Sequence, residues 1–87
     1  MRRLGVFGAV PRYFFNFYND ETVSDEEGQD LAGLDEARHV AEVNAREMAA
    51  AAVINGQLNL KHRIEVVDES GKIVCTVRFA DIVKVEG

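Results

Sequence analysis

The residues able to carry chemistry are few. Cys75 is the single cysteine, and with His39 or His62 it could form a thiol–imidazole nucleophile. It lies mid-strand among alternating apolar residues, so the spacing favours an inert, buried thiol. Glu36-Ala37-Arg38-His39 matches the Glu-x-x-His element of carboxylate-bridged metal sites, which need two such elements plus two further glutamates. One copy on one helix is therefore read as a solvated pair. The acidic stretch from Asp20 to Asp30 invites a calcium loop. Counted from Asp20, its sixth position is Asp25 rather than glycine, and its twelfth is Leu31 rather than glutamate. Gly5-Val6-Phe7-Gly8 lacks the lysine and preceding strand of a phosphate cradle, and Ser24 and Ser70 have no histidine nearby in sequence. The reading is non-enzymatic, with no cofactor and no metal.

The remaining features point to surfaces. Five of the seven aromatic residues fall within Tyr13–Tyr18. Eight acids and no Lys or Arg lie between Tyr13 and Ala37, in a chain of formal net charge −5. Aromatic residues on a strand could stack nucleic-acid bases, but such platforms need a basic surround. Here Arg12, Arg63 and Arg78 are scattered among acids, so no nucleic-acid partner is expected. Glu26, Glu27 and Asp30 form a candidate surface for a basic partner.

These side chains must be placed by a small scaffold. Eighty-seven residues suffice for one domain, which at this size buries about 60–65% of its unfolded-chain surface. No run approaches the ~20 apolar residues of a membrane-spanning helix, so no membrane partner is expected. A lone cysteine fits a reducing, cytoplasmic setting. Residues 1–10 read as a poorly ordered extension. Met1-Arg2-Arg3 followed by apolar residues hints at a secretory leader, but the apolar run is short and Pro11-Arg12-Tyr13 replaces a cleavage site. Val10 is the expected natural start. Residues 11–87 are expected to form the domain.

Arg12–Tyr18 reads as a strand, with Tyr13, Phe15 and Phe17 on one face and Phe14, Asn16 and Tyr18 on the other. A short second strand is expected near Thr22–Ser24 or Gly28–Leu31. A helix should run from Leu34 to about Asn55, with Gly33 before it and Asn55-Gly56 as its stop. Its stripe is Leu34, Ala37, Ala41, Ala45, Met48 and Ala52, small enough to lie close on a sheet. His62–Asp68 and Lys72–Phe79 read as a hairpin around Asp68-Glu69-Ser70-Gly71. Ile73, Cys75, Val77 and Phe79 are expected inward, and Val74, Thr76 and Arg78 outward. The order strand–strand–helix–strand–strand predicts an α+β fold, one long helix on a three- to four-stranded antiparallel sheet.

The openings Pro11-Arg12-Tyr13-Phe14-Phe15 and Asp25-Glu26-Glu27-Gly28-Gln29-Asp30-Leu31 carry a resemblance. So do Ala37-Arg38, Arg63-Ile64-Glu65-Val66, the Asp68–Gly71 turn and Arg78-Phe79-Ala80-Asp81. Together the chain resembles, from Pro11 to about Glu86, a family of short bacterial domains of unknown function. The resemblance implies a fold and no activity.

One helix covers one side of a sheet. Phe14, Asn16, Tyr18, Val74, Thr76 and Arg78 are therefore expected to form an interface on the other, making the chain a self-associating homodimer module. On the helix, Val40, Val43 and Ile54 offer a second meeting surface. The alternative is an acidic, antitoxin-like regulator that binds a basic protein.

Overall fold

A computed structural model describes residues 10–87, and the expectation for the first nine lies outside the described residues. The expected α+β fold is present. β1 (Arg12–Tyr18), β2 (Thr22–Val23) and β3 (Gln29–Asp30) precede the long helix α1 (Leu34–Ile54). β4 (Arg63–Val67), β5 (Ile73–Arg78) and the one-turn helix α2 (Phe79–Ile82) follow it. The sheet is antiparallel, in the order β2-β1-β4-β5, with β3 also pairing β1. Among the described residues it has five strands rather than three or four. Both sites considered for the second strand are occupied.

β2 and β3 form one interrupted edge ribbon. Val23 pairs with Phe17 and Gln29 with Tyr13, so the five residues 24–28 face only the three residues 14–16. Two residues too many break the ladder there. Gly28 closes the break at φ 74, a conformation that strains residues with a side chain. A Cβ there would also meet Phe14 Cε2 and the Tyr13 carbonyl, both at 2.9 Å.

α1 begins after Gly33, and the Glu36 carboxylate accepts a hydrogen bond from the Ala32 N–H at 2.9 Å. It ends where the N–H groups of Asn55, Gly56 and Gln57 turn back to Ala51, Ala52 and Val53 carbonyls. Its buried line is Ala37, Ala41, Ala45 and Ala49, each four residues after the last. Leu34, expected in the stripe, is exposed, and Met48 and Val40 flank the line. Because each alanine projects only a methyl group, the helix sits close on Ile64, Val66, Cys75 and Val77. α1 packs mainly on β4 and β5, and α2 packs on α1 and β5. Tyr13, Phe15 and Phe79 complete the core.

The hairpin turn is fastened by Asp68, whose Oδ1 accepts from the Ser70 N–H, the Ser70 hydroxyl and the Lys72 N–H at 2.9, 2.6 and 3.0 Å. Gly71 takes the left-handed φ of 91. A one-residue bulge on β5 follows, since Val66 pairs with Cys75 but Val67 with Ile73. Ile73, expected inward, is therefore turned outward and is 51% exposed. Val74, expected outward, packs against the core.

No described helix is long and apolar enough to cross a membrane. Ala45→Leu tests the close approach of helix and sheet. The added bulk has no space, and stability should fall by about 1–3 kcal/mol. Ala50→Leu, on the exposed side, should stay within about 0.5 kcal/mol in the same urea titration.

Candidate functional site

With both helices on one side, the outer face of the sheet has no described element packed on it. Cross-strand register arranges that face in three rows, because paired residues project to the same side. Phe14, Val67 and Ile73 form an apolar row. Asn16, Glu65 and Thr76 form a polar one, and Tyr18, Arg63 and Arg78 the third. Phe14, Asn16, Tyr18 and Thr76 are half-buried and Arg78 is exposed. Val74 leaves the expected set because of the bulge, and Ile73 takes its place.

Sequence reasoning missed the middle column. β4 separates β1 from β5, so Phe14, Asn16 and Tyr18 are not cross-strand neighbours of Thr76 and Arg78. Between them the Arg63 guanidinium lies 4.3 Å from the Tyr18 ring centroid, and its Nε donates to Glu65 Oε2 at 2.9 Å. A cation on an aromatic face and a charge-assisted hydrogen bond fix this column without a partner. The alternation that sends Ile64 and Val66 inward was the available signal.

Both sheet edges carry carboxylate plugs. On the β1 edge, Asp25 fills the break between β2 and β3. Its Oδ2 accepts from the Phe15 N–H at 3.0 Å, and its Oδ1 from the Glu27 and Gly28 N–H groups at 3.1 and 3.0 Å. In return the Asp25 N–H donates to Asn16 Oδ1 at 2.9 Å. Burial works to raise the Asp25 carboxyl, but the three N–H bonds outweigh it and hold the group below its ordinary range. On the β5 edge, the Phe79 N–H bonds the His62 carbonyl, so by alternation the Thr76 and Arg78 N–H groups point to the free side. The Arg78 N–H is taken by Asp81 Oδ2 at 2.8 Å.

The three acids proposed as a partner surface are not equivalent. Asp30 grips Arg12, with Oδ1 2.9 Å from Nε and Oδ2 3.3 Å from a terminal nitrogen. Glu26 and Glu27 stand exposed on the loop. The side chains that could do chemistry are dispersed. Cys75 is buried, and burial pushes its thiol above the ordinary value while the nearby Arg38 guanidinium offsets this only in part. His39 is exposed, and His62 meets the Phe79 ring edge-on at 5.6 Å. His62 Nε2 also lies 3.5 Å from Asp20 Oδ1, at a concavity of about 300 Å³ floored by Met48, Leu58 and Phe79. Among the described residues no three His, Cys, Asp or Glu side chains group as a metal ion would require.

A family model described as a domain of unknown function (DUF6894) matches residues 12–80, and the chain belongs to that family. No curated protein and no solved structure matches it.

The Asp25 plug predicts a pH signature. Its folded-state pKa is lowered, so its contribution is complete above the unfolded value of about 3.9 and lost as the pH falls through the folded one. Asp25→Ala should lose about 1–3 kcal/mol at neutral pH, because three N–H groups lose their acceptor. The gap from wild type should narrow below about pH 4, and a gap undiminished near pH 2 in acid-unfolding curves contradicts the assignment.

Proposed function

We propose that this DUF6894 domain is a non-enzymatic protein-interaction module that self-associates through the outer face of its sheet. The observation that carries the reading is the row Phe14, Val67 and Ile73, with Tyr18 beyond it, on a face that no described element covers. An antiparallel sheet that meets water alternates polar residues outward. This one sets Phe14, Val67, Ile73 and Tyr18 beside the polar residues of that face. The plugged edges favour the face over edge-to-edge pairing.

A two-fold axis running across the strands sets the apolar row of one copy over the Tyr18, Arg63 and Arg78 row of the other. Sheets stacked this way lie about 10 Å apart. The arrangement keeps the arginines of the two copies apart and offers the Phe14 ring to a guanidinium. The opening Pro11-Arg12-Tyr13-Phe14-Phe15 and the lone Cys75 support placing the module in a bacterial cytoplasm.

The second reading, an acidic, antitoxin-like regulator of a basic protein, is supported by Glu26 and Glu27, which no described ion pair engages. A pull-down that yields a basic protein from wild type but not from Glu26→Gln/Glu27→Gln favours it.

Sedimentation equilibrium tests the leading reading. The wild type should be dimeric and Phe14→Ala/Tyr18→Ala monomeric. Ile54→Glu, at the end of α1 where Ile54 is 84% exposed, should leave the dimer intact. A monomeric wild type at high concentration removes self-association, and dissociation by Ile54→Glu alone moves the interface to the helix.

A further inference from the structure

α1 roofs β4 and β5 more fully than β1. On the core side of the sheet this leaves a groove of about 410 Å³ beside β1 and β2. Phe17 and Val23 form its apolar floor, with the buried Phe15 beneath them, and Asp25, Glu26 and Glu27 form its wall. Val23 is 51% exposed although it sits on a strand. No Lys or Arg lines the groove.

This pairing of surfaces selects an occupant. An uncharged apolar segment would strip water from the carboxylates and leave them unpaired. A purely cationic one would gain nothing from the floor. A second copy of a chain with net charge −5 brings repulsion to an acidic wall. Asp25 is held in place by the three backbone N–H groups it accepts from, so the wall is set before any partner arrives.

We propose that this groove docks an extended segment of a partner protein in which basic and large apolar residues alternate, the apolar side chains on Phe17 and Val23 and the cations against Asp25, Glu26 and Glu27. The proposal rests on the reading of a basic partner and specifies where and how that partner binds. It is independent of the outer sheet face.

The test is a fluorescence-anisotropy titration of the full chain with a labelled peptide of alternating lysine and leucine, beside an oligolysine of equal charge. Wild type should bind the alternating peptide at least about tenfold more tightly, the effect of seating one large apolar side chain. Glu26→Gln/Glu27→Gln, on an exposed loop, and Val23→Ser should each weaken it severalfold. Glu69→Gln/Glu86→Gln removes the same charge at exposed sites that do not line the groove and should change nothing. Equal weakening by this last pair would overturn the groove while leaving a basic partner standing. Absence of binding by either peptide would overturn both. Oligolysine binding as tight as that of the alternating peptide would overturn the role of the floor. A dimer that Glu26→Gln/Glu27→Gln dissociates would assign the groove to a second copy and overturn the proposal.

Discussion

Everything in this molecule follows from how closely α1 lies on the sheet. Ala37, Ala41, Ala45 and Ala49 bring the helix backbone down onto Ile64, Val66, Cys75 and Val77, and all four are nearly inaccessible. Close approach gives a small domain a dense core, but it also fixes the helix over a narrow strip. A helix with its side chains is about 10–12 Å across, whereas four ribbons at about 4.8 Å spacing need a wider roof. The roof falls over β4 and β5. The outer face of the sheet and the groove beside β1 are both left over by that geometry, and they are the two surfaces to which function is assigned.

The remaining way for such a sheet to associate is through its edges, and a carboxylate takes an N–H group on each side of the sheet. Asp25 supplies the acceptor that a neighbouring strand would have offered to Phe15. Asp81 does the same for Arg78, and the bulge at Val74 distorts the rest of β5. Acceptors supplied from a side chain satisfy the local backbone without extending a ladder, which blunts an edge against pairing. The same Asp25 then serves as part of the groove wall.

Much of this was legible in the chain. Alternation in the aromatic run assigned the two faces of β1, with Tyr13 and Phe15 inward. Alanine spacing and the Gly33 and Asn55-Gly56 signals placed α1 to within a residue. The bulge was not legible, because period-two alternation assumes an unbroken register, and one extra residue exchanged the roles of Ile73 and Val74. The split edge was hidden for a related reason. Thr22–Val23 and Gln29–Asp30 are too short for any pattern, and what joins them is the Asp25–Gly28 turn. Its signals were an aspartate three residues before a glycine and Asn16 alone among aromatic residues. The acidic run reads as a charged surface, whereas Asp25 is engaged by backbone N–H groups and Asp30 by Arg12.

The most direct test of one-sided coverage is the exposure of aromatic ring protons to a soluble paramagnetic agent, read by NMR at a dilution where the protein is monomeric. The Phe14 and Tyr18 rings should relax strongly, and the Tyr13 and Phe15 rings should remain protected. Protection of Phe14 and Tyr18 equal to that of the core rings would show the outer face already covered within a single chain and would contradict the account.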